Sequence, residues 1–386
     1  MNAPRMLHFI TDLRRGGEAR LLLSFLPEFE RAGIRNMVCC LAPISGSGTT
    51  AETDLIPDFE KAGIPVVSLN ATRSTIPIAA IRLFTLLRYH RPDILHTYLF
   101  HSNVLGRVMG RVAGVPIVVS SVVSVDDWKR YHHVLMERYT APLADSILVN
   151  AEAVRDRLIT RDRVSKTRVS LSYNGVKVED FESASAVLRQ EQAIPPSTRI
   201  VGTVCRLHRA KALDKLLAAF SDVSHRVGDV MLVVVGDGPE RGALTLLANR
   251  LRIADQVLWL GARDDVAALM QDFDVFVVSS VWEGLPGTLF EAMAARVPIV
   301  ATRVGGIPEV LQNSVNAIVV EPGVEAEIAD AVCLLLDTPA FGCRLVAHAA
   351  ADVRARFVFT RAVRERIAWY RGLLETKIGA DTAESR

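Results

Sequence analysis

The chain has 386 residues, of which 50% are hydrophobic and 23% charged, with a formal net charge of +2. It is long for one core and comfortable for two ordinary domains, and its composition excludes a disordered chain. The charge is uneven, net +5 over residues 1–190 and −3 over residues 191–386. That excess reads first as solvated surface charge, with an anionic membrane surface, met by Lys129, Arg130, Arg138 and the basic stretch Arg155 to Arg168, kept as a further partner. No basic run interleaves with aromatics, so nucleic acid is not expected.

Met6 to Ile10 is too short for a secretory core, and Asp12, Arg14 and Arg15 follow at once. No stretch approaches the roughly 18–20 apolar residues of a membrane span. The expected location is cytoplasmic, at most at the inner face of a membrane. Cys39, Cys40, Cys205, Cys333 and Cys343 form no C-x-x-C pair and lie near no His at metal spacing; they read as buried free thiols in a reducing compartment.

In chain order, short β-branched runs predict strands over Leu7–Ile10, Met37–Leu41, Pro65–Leu69, Asp93–His96, Ile117–Ser121 and Ile147–Val149. Amphipathic segments between them predict helices over Glu18–Ala32, Pro77–His90, Ser102–Ala113 and Trp128–Ala141. Continuous rather than alternating apolar strands indicate parallel strands buried on both faces, and parallel neighbours need crossover helices. The pattern pauses near Pro195-Pro196. It restarts with strands at Ile200–Cys205, Met231–Val235, Val257–Leu260, Val275–Ser279, Pro298–Ala301 and Ala317–Val320. Helices are predicted there at Leu213–Val227, Glu240–Leu251, Val266–Asp272, Thr288–Ala295 and Glu325–Leu336, with two helical stretches beyond, the last from about Thr360 to Glu375. The fold class is α/β, with two Rossmann-like doubly wound lobes facing across a cleft. The expected division is a first lobe over residues 1–182, a linker over 183–198, a second lobe over 199–357 and a closing helix and tail over 358–386.

Ligands of such sheets bind beyond the carboxyl ends of the strands, so the loops after strands carry the argument. In GTVCRLHRAK, Arg206 and Lys211 follow a strand at a helix start, where cations are unfavourable unless an anion such as a diphosphate joins them. The turn GDGPER, Gly236 to Arg241, reads as structural. In SSVWEGLPGTLFEAM, Glu283 leaves a strand, Gly284 and Gly287 free the backbone, and Thr288 begins a helix carrying Glu291. The amides of that helix start suit an anion, and the two carboxylates suit sugar hydroxyls. Arg14-Arg15-Gly16-Gly17 resembles a phosphate-cradling turn without the full dinucleotide fingerprint, and Cys39 to Pro43 offers no acid for a ribose, against an NAD enzyme. Asp126-Asp127, Asp264-Asp265 and His132-His133 are adjacent pairs whose members point apart, so no metal is expected.

In this order the segments LHFITDLRRGGEARLLL, DILHTYLFHSNVLGRVMGRVAGVP, YNGV, GTVCRLHRAK, VVVGDGPER and the E-x7-E run from Glu283 to Glu291 resemble the retaining group 1 glycosyltransferases of family 4, of the GT-B fold. The resemblance implies that Arg206 and Lys211 contact the donor diphosphate, Glu283 the transferred sugar and Glu291 the ribose. It implies that Gly284, Leu285, Pro286, Gly287, Thr288 and Leu289 line the donor, that Gly16 and Gly17 close over the phosphate and acceptor side, and that the last helix returns to the first lobe. The substrates implied are a nucleotide-sugar donor and a polysaccharide, glycolipid or lipid-linked acceptor, with no cofactor. Two departures stand out. Glu18 and Ala19 are swapped relative to the usual GGAE, and Val123 stands where many members carry His. Ser121, Ser124 or Asp126, or else His96, His101 or His132, are candidates to replace it. A sugar-nucleotide epimerase on the same fold, and a non-catalytic degenerate subunit, are the rival readings.

Overall fold

The computed structural model describes residues 3–14, 16–43, 55–125 and 128–384. The chain forms two compact units. One comprises Met1–Val123, Asp127–Tyr173 and Ala362–Arg386; the other comprises Ser124–Asp126 and Asn174–Arg361.

The first unit is built on seven strands: β1 (Arg5–Ile10), β2 (Arg35–Cys40), β3 (Val66–Ser68), β4 (Ile94–Tyr98), β5 (Ile117–Val122), β6 (Ser146–Val149) and β7 (Val169–Leu171). Their order is β3-β2-β1-β4-β5-β6-β7, and every pair is parallel. Six were predicted. The seventh, three residues inside the charged run after Arg161, is too short to show a hydrophobic period. One face of the sheet packs Leu7, Phe9, Cys39, Leu95 and Val118 against Leu83 and Leu87 of the helix Ile76–His90; each fully buried side chain of this kind contributes roughly 1.5–3 kcal/mol.

The other face is polar at its centre. His8 and His96 sit opposite one another on β1 and β4. His8 bonds Tyr98 Oη (2.8 Å) and Asn36 Oδ1 (3.0 Å), and His96 bonds Tyr370 Oη (2.6 Å) and Ser121 Oγ (2.8 Å). Tyr370 belongs to the helix Phe359–Glu384, so this helix does pack on the first unit, as expected. Arg366 of the same helix lies over the Phe25 ring, 4.3 Å from its centroid, and Arg371 bonds the Ala32 carbonyl. Burial holds His8 down to about 4 and His96 well below its usual range, so both are neutral hydrogen-bonding groups rather than charges.

The second unit has six parallel strands: β8 (Arg199–Val204), β9 (Val230–Val235), β10 (Val257–Gly261), β11 (Val275–Val278), β12 (Ile299–Thr302) and β13 (Ile318–Val320), in the order β10-β9-β8-β11-β12-β13. All six match the predicted strands within two residues. The helix Leu213–Val227 matches its prediction at both ends, because its apolar stripe of Leu213, Leu216, Leu217, Phe220 and Val223 is continuous and Gly228, at φ +84°, stops it. Residues 183–198 are well packed: Leu188 and Ile194 are buried, and Arg189 donates to Asp274 and to the carbonyls of Pro195 and Thr198.

Among the cysteines, Cys39, Cys40 and Cys333 are buried, but Cys205 is half-buried and Cys343 is exposed on the helix Pro339–Arg356, against the expectation of burial for all five. No described helix is long and apolar enough to cross a membrane.

Candidate active site

The strand order of the second sheet reverses between β8 and β11. The loops leaving those two strands are the ones that carry Arg206, Lys211 and Glu283, which is where an open α/β sheet offers its binding crevice.

The two loops are tied to each other by backbone and side chain. The Val281 amide donates to the Ala210 carbonyl (2.9 Å), Ser279 Oγ donates to the Lys211 carbonyl (2.7 Å), and the Arg209 guanidinium lies over the Trp282 ring. Lys211 ends a single 3-10 turn, Arg209–Lys211, and Ala212 then takes the left-handed conformation (φ 45°, ψ 46°) to launch the helix Leu213–Val227. A non-glycine residue held there is uncommon and fixes where Lys211 leaves the backbone.

At the centre, Lys211 Nζ is paired with Glu283 Oε1, which also accepts from Ser280 Oγ (2.8 Å). The lysine and carboxylate side chains are 23% and 12% exposed, so the pair sits at the water boundary rather than inside the core. Burial opposes the charge on Lys211, but the Glu283 carboxylate outweighs it and holds the ammonium above its ordinary value. Burial also pushes the neighbouring Cys205 thiol up to about 11, so this sulfur is no nucleophile at neutral pH. A small pocket opens here, lined by Thr203, Cys205, Lys211, Ser280, Glu283 and Thr288 among others.

The helix Gly287–Ala294 starts at that pocket. Pro286 caps it in an extended conformation, and no side chain among the described residues caps its first amides, so Gly287 and Thr288 present N–H groups with no earlier turn to bond. Leu289 is fully buried and anchors the helix; Leu285 and Gly284 are buried behind the loop, Pro286 is half-buried and Gly287 exposed. Glu291 is half-buried one turn after Thr288, on the same side of the helix. Arg206 is exposed beside these groups in sequence, with no ion pair among the described residues.

Two supports were not anticipated. Gly305 has φ +52°, and a Cβ there would sit 2.2 Å from the Glu283 carbonyl oxygen; the next residue, Gly306, donates its amide to the Gly284 carbonyl (2.6 Å). Thr302 Oγ1 donates to the Ser280 carbonyl (2.6 Å). The Gly305-Gly306 pair was visible in the sequence, but nothing there says which loop it would meet. The turn at Gly236, read as structural, props the other loop: its φ is +122°, and a Cβ would lie 1.9 Å from the Cys205 carbonyl oxygen.

The first-unit candidates divide differently. Gly16 caps the helix Gly17–Arg31, with open space around Gly17. Glu18 follows at the second helical position; burial raises its carboxyl to about 7, against the opposing pull of Arg366. Of the candidates to replace the absent His, His96 and Ser121 are buried and bonded to each other, which makes them structural. His101 and His132 are exposed, and Arg15, Asp126 and Asp127 lie outside the described residues. The cations that suggested a membrane surface are largely engaged within the fold. Lys129 is buried beside Glu137, Arg138 bonds the carbonyls of Arg161 and Asp162, and Arg155 pairs with Glu152. Arg130, Arg163 and Lys166 remain exposed.

Two parallel Rossmann-like sheets, each flanked by helices, are the architecture of the GT-B fold. Residues 15–180 match the family described as Glycosyltransferase Family 4, and residues 198–338 match the Glycosyl transferases group 1 domain. The chain belongs to this family, the group 1 glycosyltransferases of family 4. It is 36% identical over 156 residues, 40% of the chain and 41% of the relative, to the N-acetyl-alpha-D-glucosaminyl L-malate synthase of Bacillus anthracis. Over 70% of its length and 73% of the relative's it is 25% identical to the Escherichia coli UDP-Gal:alpha-D-GlcNAc-diphosphoundecaprenol alpha-1,3-galactosyltransferase. The fold matches that of Anabaena HepE, solved with UDP, at a TM-score of 0.81 and 19% identity, covering 95% of this chain and 100% of the other.

Proposed function

We propose that the protein is a retaining, metal-independent glycosyltransferase that moves a sugar from a nucleotide-sugar donor to a polysaccharide, glycolipid or lipid-linked acceptor. The observation that carries this reading is the Lys211–Glu283 pair at the water boundary, beside the open amides of Gly287 and Thr288. In the free protein the two side chains neutralise each other. A donor diphosphate entering the pocket is a better partner for Lys211, because it also takes the helix amides and the exposed Arg206. Glu283 is then released to accept hydrogen bonds from the hydroxyls of the transferred sugar, with Ser280 holding its other side, while Glu291 takes the ribose.

The chemistry asked of these groups is charge stabilisation. The bond from the anomeric carbon to the phosphate oxygen breaks, the acceptor oxygen bonds to that carbon on the same face, and the acceptor proton passes to the departing phosphate. Lys211, Arg206 and two amides meet the developing negative charge, which is the work a divalent ion would otherwise do. Nucleotide-sugar use is supported by the UDP-galactose named for the Escherichia coli relative and by the UDP-glucose complex of HepE.

The test is product analysis with UDP-, GDP- and ADP-sugars in the presence of EDTA. The proposal expects transfer with the donor's anomeric configuration kept in the product. An inverted product contradicts retention, and transfer restored only by magnesium contradicts metal independence. Isomerised donor formed without any acceptor favours an epimerase instead.

A further inference from the structure

The first sheet has its own reversal of strand order, between β1 and β4. Three segments at or beside it bring aromatic rings together. The start of the helix Phe100–Val112, directly after β4, supplies Phe100 and His101, the loop after β5 supplies Trp128, and the helix Tyr131–Thr140 supplies His132 and His133. The Trp128 ring is parallel to His101 (14°, centroids 6.4 Å apart), while Phe100 meets it edge-on at 5.7 Å and His133 at 5.1 Å. Phe100 is buried, Trp128 and His133 are half-buried, and His101 and His132 are exposed, so the group is closed behind and wet in front.

Two features show that this arrangement is built rather than incidental. Leu99, which launches Phe100 and His101, has φ 67° and ψ 156°, a region that side-chain-bearing residues avoid. Behind Trp128, the Lys129 ammonium lies 5.1 Å over the Phe100 ring and 3.5 Å from Glu137, which in turn accepts from Arg107 at 2.6 Å. Arg107 and Glu137 are wholly buried, and Arg107 Nη2 has no hydrogen-bond partner among the described residues. Buried ion pairs of this kind are poor sources of stability and good devices for fixing one geometry; the geometry fixed here is that of the loop bearing Trp128.

Backbone strain and buried charge thus both hold a ring face beside a set of imidazoles. Desolvation, with His132, His101 and the nearby cations, holds His133 below its ordinary value. A neutral imidazole both donates and accepts hydrogen bonds. Three histidines also invite a metal, but no group of three or more such ligands among the described residues is placed to hold one, and the His132 and His133 Nε2 atoms face each other at 3.1 Å. An apolar ring face next to groups of both hydrogen-bonding senses matches a saccharide ring, which has a C–H face and a hydroxyl edge.

We propose that Trp128, with His101 and His133 beside it, is the platform for a cyclic sugar acceptor. This rests on the transferase reading above and narrows it: the group receiving the new bond is carried by a sugar ring rather than by an acyclic hydroxy acid.

The test compares wild type, W128F and W128A with the methyl glycosides of glucose, galactose, N-acetylglucosamine and glucuronic acid, and with L-malate as the acyclic control. Saturation-transfer NMR in the presence of UDP or GDP reads glycoside binding, and kinetics reads transfer. A cyclic glycoside should bind wild type, and W128A should raise its KM roughly 3- to 10-fold, leaving donor KM unchanged, with W128F restoring most of the loss. An acceptor KM that does not move in W128A overturns the proposal, as does an equal loss in W128F and W128A. Nucleoside diphosphate binding with no glycoside binding, or transfer to malate alone, overturns it while leaving the donor site standing. Absence of both nucleotide binding and transfer overturns the transferase reading and this proposal with it.

Discussion

Two of the cation–carboxylate clusters among the described residues are made from the same chemistry and differ in their access to water. Lys211–Glu283, in the second unit, sits at the edge of water with a serine hydroxyl and open helix amides around it. Arg107–Glu137–Lys129, in the first unit, has side chains at most 2% exposed and is enclosed by packed rings and helices. An ion pair in contact with water can trade one partner for a ligand. One sealed in the core cannot, because separating its charges there leaves an uncompensated charge in low dielectric. On the proposed function, exposure, more than residue identity, separates the pair that binds from the pair that holds the scaffold.

The largest expected effect breaks the sealed cluster. Glu137→Ala leaves Arg107 buried without its carboxylate and should lower unfolding stability by about 3–5 kcal/mol, read by urea denaturation. At the open cluster the effect moves from stability to rate. Lys211→Ala and Glu283→Ala should each reduce kcat by about 10²–10³-fold, with a far smaller change in denaturation midpoint than Glu137→Ala. Equal stability losses at both clusters would erase the contrast. Next, Gly305→Ala forces a Cβ into the Glu283 carbonyl at a positive φ. It should destabilise by about 1–3 kcal/mol and reduce turnover, although Gly305 supplies no side chain to a substrate.

The smallest effect is a pH slope. The pKa values of His8 and His96 are depressed in the fold, so the unfolded chain binds more protons between the ordinary histidine value and the folded ones. Stability should therefore fall as pH drops from about 6.5 toward 4. Glu18 acts the other way, since its raised carboxyl pKa favours the fold at the acid end of its range and that contribution fades as pH rises through about 7. Glu18→Gln should therefore steepen the acid loss of stability, and His96→Gln should flatten it, in denaturation curves at pH 4.5, 5.5 and 6.5.

The contrast between the clusters was only half visible in the sequence. Long apolar stripes, such as Leu213 to Val223, and continuous strands, such as Val230–Val235, announce themselves through periodicity, and the loops after strands follow from them. Thus Arg206, Lys211, Glu283 and Thr288 were legible as one candidate site on loops that follow strands. That Lys211 and Glu283, 72 positions apart, meet each other was not, because partner choice is settled by the register of β8 against β11. Lys129 and Arg138 looked like surface cations for the same reason: charge can be counted along a chain, but burial depends on which helix lands where. Trp128 read as the first residue of a helix over Trp128–Ala141, but that helix begins at Tyr131 and leaves Trp128 in the preceding loop. Only the folded arrangement places it beside His101, at the start of the helix that follows a different strand.

The central claim is that the Lys211–Glu283 pair opens to take a diphosphate. It is tested most directly by calorimetric titration of UDP, GDP and ADP into wild type and Lys211→Ala, without magnesium. The account predicts that at least one nucleoside diphosphate binds wild type and that the Lys211→Ala variant, still folded, binds it at least about tenfold more weakly, the loss of a charge-assisted contact of ~1.5–3 kcal/mol. Equal affinity in the two proteins would contradict it.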